Sequence, residues 1–298
     1  MLWENLREEE FRGAVEKAGK LCVITIGCME KHGQHLPLGT DVFIVESVVD
    51  AAAELEDVVV LHTGPWFGEV SCFHADKDPD SVRRMGNIGI KQTTLLTVLE
   101  ELCDEAGRNG FTKVLILNSH GGNTPILNHF LRCQTYEDKP YATMWAWAVD
   151  DNITVPEKLL HEINTRRDEF SFITEQDIKT IEGWMPEGYQ GGHADIREVA
   201  LVMADHPELI APDRYDAEDG SGQPRARYIS QEGVYIANAW YAGSPNCYSG
   251  RPAHGTTQTI GKAMKKINVE RLVRIFKRLK ESDDMINIAQ MDRPQKNG

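Results

Sequence analysis

The chain alternates short apolar runs with longer amphipathic stretches. Leu21 to Gly27, Val58 to Leu61, Val114 to Leu117 and Ala142 to Val149 are short and apolar, several of them β-branched, the pattern of buried strands. Between them the spacing of apolar positions lengthens to that of helices. Val42 to Leu55 is rich in Ala and Val. Gln92 to Arg108 carries Leu95, Leu96, Val98, Leu99 and Leu102 before Asn109-Gly110, a pair suited to ending a helix. Further helices are expected after Asn123, over Asp195 to Met203, and over Val269 to Leu279, where Leu272, Val273, Ile275 and Phe276 oppose a basic face. Gly68 to Gly86 and Ala211 to Pro252 read as loop-rich, and Asp292 to Gly298 as a frayed end.

Strands alternating with helices imply crossovers and a mainly parallel sheet covered on both faces, an α/β fold. No linker or repeat divides the chain, so residues 1–298 read as a single domain. In such sheets ligands bind at the carboxyl ends of strands. The stretch from Glu30 to Asp41 follows the first strand, and Asn118 to Asn123 follows the third, so both belong on one edge of the sheet.

Composition narrows the partners. The chain has 298 residues, 41% hydrophobic and 26% charged, which is enough to bury a sizeable core. No apolar run approaches the ~20 residues of a membrane span. The acidic start, Met1 to Glu10, lacks the pattern of a signal peptide, so a cytoplasmic location is the expectation. A net charge of −14 argues against nucleic acid and anionic membrane as partners. Six scattered cysteines without a Cys-x-x-Cys pair indicate neither a disulfide framework nor a zinc knuckle.

Three clusters could carry chemistry. The first, Glu30-Lys31-His32-Gly33-Gln34-His35-Leu36-Pro37-Leu38-Gly39-Thr40-Asp41, gathers carboxylates and imidazoles in a Gly- and Pro-bearing loop that lets them turn toward one point. Glu30, His32 and Asp41 are candidate ligands, although Asp41 could equally cap the following helix. His35 fits an outer partner of those ligands. The second cluster, Asn118-Ser119-His120-Gly121-Gly122-Asn123, sets His120 directly after a buried strand, with glycines leaving room for a ligand. The third, His193-Ala194-Asp195-Ile196-Arg197-Glu198, lies at the start of a helix, where Asp195 and Glu198 also satisfy the spacing of a capping box. Trp184 sits in a Gly183-to-Gly188 stretch resembling a lid, whereas Trp145 and Trp147 read as packing. His254 lies in a polar turn before a helix. Cys28 and Ser119 are conceivable nucleophiles, but neither sits in a nucleophile elbow or beside a Cys/His/Asn set.

Taken in order, these clusters resemble the creatininase (creatinine amidohydrolase) family. The family's Glu-x-His-Gly-x-His-Leu-Pro-Leu-Gly-Thr-Asp is matched by Glu30 to Asp41 at every defined position, and its Asn-x-His-Gly-Gly-Asn by Asn118 to Asn123. Its His-Ala-Gly-x-x-Glu-Thr-Ser is met in part by His193 to Ala200, with Asp195 for Gly and Val199-Ala200 for Thr-Ser. The resemblance implies a three-layer α/β/α sandwich, two divalent metal ions (Zn²⁺, with Mn²⁺ or Fe²⁺ as alternatives) and a homo-oligomer, usually a hexamer. Glu30, Asp41 and His120 would hold one ion. His32, the bridging Asp41 and a glutamate would hold the other. Creatininase itself has a glutamate where this chain has Gly122, so the last carboxylate must come from elsewhere, with Glu198 preferred to Asp195. His193 would transfer protons, and Trp184, Gly121, Gly122 and Asn123 would meet the substrate. The Gly121-Gly122 form, and Met85-Gly86-Asn87-Ile88-Gly89 in place of the family's Pro-Gly-Thr-x-Ser, point away from creatinine and toward another small-molecule amide, cyclic or formyl. The alternatives are a dinuclear phosphoesterase, for which Lys31, Arg197 and Arg251 are the available cations, and a non-catalytic member that keeps the fold.

Overall fold

A computed structural model describes residues 1–70, 86–185, 192–223, 231–237 and 239–290. Most of the loop expected between Gly68 and Gly86, the end of the lid-like stretch at Gly188, and the segment from Asp292 onward lie outside the described residues.

Four strands pair in parallel, in the order β2-β1-β3-β4: β1 (Leu21–Ile26), β2 (Val59–His62), β3 (Lys113–Asn118) and β4 (Ala142–Trp147). All six residues of β1 and of β3 are buried, as continuous apolar runs covered on both sides should be. Alternation along the strands divides them between two cores. Leu21, Val23, Val60, Leu115 and Leu117 join one apolar cluster, while Cys22, Ile24, Ile26, Val59, Val114 and Ile116 join the other.

The helices fall on either side accordingly. Helices α1 (Glu8–Lys17), α2 (Thr40–Leu55), α3 (Gln92–Arg108) and α4 (Asn123–Cys133) alternate with the strands. After β4 come α5 (Asp151–Thr154), α6 (Pro156–Thr165), α7 (Glu175–Gly183), α8 (Ile196–Asp205), α9 (Ala239–Gly243), α10 (Gln258–Glu281) and α11 (Asp284–Ala289). Val48 of α2, Val199 of α8 and Leu272 of α10 pack on the first face, and Val15 of α1, Leu99 of α3 and Phe130 of α4 on the second. The result is the three-layer α/β/α arrangement expected. Each of these fully buried aliphatic or aromatic side chains contributes about 1.5–3 kcal/mol relative to exposure.

Two details bear on the site. Helix α10 begins at Gln258, earlier than the expected Val269, because Thr257 caps it by accepting a bond from the Ile260 N–H. Gly261 then lets α10 lie against α8, since a Cβ there would stand 1.9 Å from the Ala200 carbonyl oxygen. Helix α8 is thereby pinned by its backbone as well as by its apolar face. Among the described residues no helix is long and apolar enough to cross a membrane.

Candidate metal centre

β1 and β3 end level with one another. Ile26 is the register partner of Asn118, and the Ser119 N–H donates to the Ile26 carbonyl at 3.2 Å. The chain runs outward from β1 to β2 and then crosses back to β3, so the crevice beyond these two strand ends is the switch point where such sheets bind ligands. Both signature loops open into it.

Asparagines fix the second loop. Asn118 accepts a bond from the His120 N–H at 3.1 Å and donates to the His120 carbonyl at 2.8 Å. Asn123 donates to the Gly27 carbonyl at 2.9 Å and accepts from the Glu69 N–H at 2.9 Å. Asn123, expected beside substrate, is fully buried with its amide committed to holding the loops together. In the first loop Gly33 adopts φ +61°, and a Cβ there would stand 2.8 Å from the His35 ring.

The charged side chains then converge. His120 Nδ1 lies 3.1 Å from both Glu30 Oε1 and Asp41 Oδ2. Cys28 Sγ donates to the same Asp41 oxygen at 3.1 Å. On the other side of Asp41, His32 Nε2 is 3.6 Å from Oδ1 and 3.7 Å from Glu198 Oε2. Asp41 is not the helix cap: Gly39 is the residue before α2, no side chain caps that end, and the Asp41 carboxylate faces the two histidines. Asp195, by contrast, is a cap, accepting from the N–H groups of Arg197 and Glu198 at 3.1 and 3.2 Å.

Glu198 is aimed by strain. Ala194 adopts φ +59°, a conformation that costs a non-glycine residue about 1–2 kcal/mol. That twist directs its N–H to Glu198 Oε2 at 2.6 Å and its carbonyl to His35, whose Nε2 donates at 2.8 Å. His35 thus supports the site one step removed from the converging donors. Two of the site's histidines have their tautomer set by backbone. His32 donates from Nδ1 to the Glu30 carbonyl at 3.0 Å, leaving Nε2 toward Asp41 and Glu198. His193 donates from Nε2 to the Lys31 carbonyl at 2.9 Å, leaving Nδ1 facing Glu30 Oε1 at 3.5 Å. The His32 and His193 rings lie with centroids 4.1 Å apart.

Burial sharpens the electrostatics. Burial alone would raise the Glu30 and Asp41 carboxyls, but the neighbouring histidines outweigh it and hold both below the ordinary range. Burial pulls His32 down, yet Asp41, Glu198 and Glu30 bring it up to about 10. The cluster therefore calls for positive charge. Its buried His32 Nε2 has no hydrogen-bond partner among the described residues. At 3.6 and 3.7 Å its contacts are too long for hydrogen bonds, but they suit donors sharing one ion, which stand roughly 3.4 Å apart at tetrahedral zinc distances. Two donor groups meet at Asp41: Cys28, Glu30, Asp41 and His120, and His32, Asp41 and Glu198, the atoms of each within 4.8 Å of one another. Their chemistry fits divalent ions.

Of these donors, Glu30, Asp41, His120 and Glu198 border a cavity of about 430 Å³ whose walls include Ile44, Trp147, Val149, Arg197, Leu201 and Trp240. Gly121 borders it with open space beyond its Cα. At Gly122 a Cβ would meet His120 Nε2 at 2.4 Å and Glu69 Oε2 at 2.7 Å, so that corner is filled. Trp184, expected at the substrate, is instead buried in the apolar core beside Ile181 and does not line the cavity. Trp147 and Trp240 do. Trp147 stands at the carboxyl end of β4, which is a signal for a pocket residue; Trp240 has no comparable mark. Of the three cations considered for a phosphate, only Arg197 lines the cavity; Lys31 is paired with Glu218 at 2.5 Å. His254 pairs with Asp216 on the exposed surface, and the Ser119 hydroxyl donates to the Asp41 carbonyl.

The sequence profile described as "Creatininase: Creatinine amidohydrolase" matches residues 4–276. The creatinine amidohydrolase of Pseudomonas putida is 22% identical over 209 residues, covering 69% of this chain and 72% of that protein. Among solved structures, a mutant creatininase of zinc–zinc type superposes with a TM-score of 0.65 at 17% identity, over 94% of this chain and 98% of the other. A manganese form of creatininase gives 0.65 at 17% identity, over 94% and 99%. At these identities the structural likeness establishes the fold.

Proposed function

The chain belongs to the creatininase family, and we propose that it is a metal-dependent amidohydrolase opening a small, non-peptide C–N bond such as a cyclic or formyl amide. The observation that carries this reading is the pair of buried donor groups sharing Asp41 at the foot of one cavity. Glu30, Asp41 and His120 would hold one ion, and His32, Asp41 and Glu198 the other, as zinc or manganese in the manner of the solved relatives. Such ions, when bound, lower the pKa of water and polarise a carbonyl.

The chain's own residues supply the rest. His193 borders the cavity with Nε2 tied to the Lys31 carbonyl, so Nδ1 is the atom free to take up a proton and pass it to the departing nitrogen. Trp147, Trp240 and the aliphatic wall exclude water and favour a small, flat body. Gly121 leaves that body room, while the filled corner at Gly122 limits it. Arg197 supplies one cation near the donors, fewer than a phosphate ester would demand.

Elemental analysis of wild type beside Glu198→Ala tests the scheme. Two ions per chain in wild type and one in the variant are expected, with hydrolysis of a cyclic or formyl amide lost. Two ions in both would move the last ligand elsewhere. Turnover of p-nitrophenyl phosphate without any amide would replace the amidohydrolase reading with a phosphoesterase. No metal after reconstitution would favour a non-catalytic protein.

A further inference from the structure

Cys28 is buried, yet it belongs to neither apolar core, unlike Cys22 and Cys103, which pack among aliphatic side chains. Its surroundings are polar instead. The Sγ atom lies 3.1 Å from Asp41 Oδ2, the same oxygen that His120 Nδ1 approaches to 3.1 Å. Sγ, His120 and the two carboxylates present one atom each within a mutual 4.8 Å. Backbone clamps the residue from behind. Gly68 approaches so closely that a Cβ there would meet the Gly27 carbonyl oxygen at 2.1 Å and Cys28 Cβ at 2.7 Å. The thiol is thus held toward the donors rather than toward hydrocarbon.

We propose that Cys28 is the fourth ligand of the ion held by Glu30, Asp41 and His120, giving this chain an asymmetric centre. The inference rests on the metal-centre reading above. On ligation the thiol proton leaves to solvent and a sulfur–metal bond forms, with no change of oxidation state. One carboxylate from each of Glu30 and Asp41, one imidazole and one thiolate complete a tetrahedral set, closing that ion to substrate. The ion beside His32, Asp41 and Glu198 has three protein donors and keeps the open position that catalysis needs. Thiolate also changes metal preference. The first position favours zinc or cobalt over manganese, while the second, with only imidazole and carboxylate, accepts all three.

The test loads the metal-stripped, full-length protein with Co²⁺ alone and records its absorption. A thiolate-to-cobalt charge-transfer band in the near ultraviolet is expected in wild type and in Cys22→Ser. It should be absent from Cys28→Ser, which keeps the visible cobalt bands of the second position and holds its first ion roughly ten- to a hundredfold more weakly. If Cys28→Ser does not fold, X-ray absorption at the zinc edge of wild type decides, with one sulfur neighbour shared over two ions expected. Two bound ions with only nitrogen and oxygen neighbours, or a band that survives Cys28→Ser, would overturn the proposal and leave the hydrolase reading standing. Failure of wild type to bind cobalt or zinc would overturn both.

Discussion

The two halves of the donor cluster are built differently. Cys28, Glu30 and His120 stand just past the ends of β1 and β3, strands tied by a continuous ladder and by the amides of Asn118 and Asn123. Glu198 comes from α8 and reaches His32 through a strained Ala194 that His35 braces. One half inherits its geometry from the sheet. The other is assembled by tertiary packing, so it should yield first when packing is disturbed, and only Asp41 belongs to both.

Removing the shared residue should therefore do most. Asp41→Ala is expected to abolish activity and to leave neither ion bound at stoichiometry by elemental analysis. Retention of either ion would show that the halves are independent. Next, Gly122→Ala presses on the sheet-borne half, because its Cβ must displace His120. A loss of about 1–3 kcal/mol in denaturant unfolding is expected, with roughly ten- to a hundredfold weaker binding of the first ion. His35→Phe acts on the other half alone. It orphans the Ala194 carbonyl, and a buried acceptor left unpaired costs about 1–3 kcal/mol. Chelator competition should show the ion at His32 and Glu198 loosening while the first is unchanged. Smallest is Ala194→Gly, which relieves the positive φ while adding freedom to the unfolded chain. Its net effect on thermal unfolding should stay within about 1 kcal/mol, with the second ion bound slightly more weakly.

The same division explains what the sequence disclosed. β1 and β3 are legible because strands buried on both faces are uninterrupted apolar runs, and Glu30, His32 and His120 follow within a few residues of the strand ends. Asp41 left its role open, since Asp early in a helix is as often a cap; only the position of Gly39 before the first turn settles which it is. Asp195 and Glu198 share one spacing, and their separate fates, cap and site, depend on the twist at Ala194, which no local pattern announces. Trp184 and Trp240 illustrate the remainder. Both lie outside the strands, and whether an indole faces core or cavity is decided by distant packing. Glu69, beside Gly122, was equally silent, because its neighbours there are contributed by another loop.

That corner also constrains how the protein can change. A side chain at position 122 and the present placement of Glu69 compete for one volume, so the two positions are not free to vary separately. A carboxylate at 122 would therefore need the His120 ring as well as the end of Glu69 to give way, so the imidazole placed to hold an ion also limits what this corner can carry.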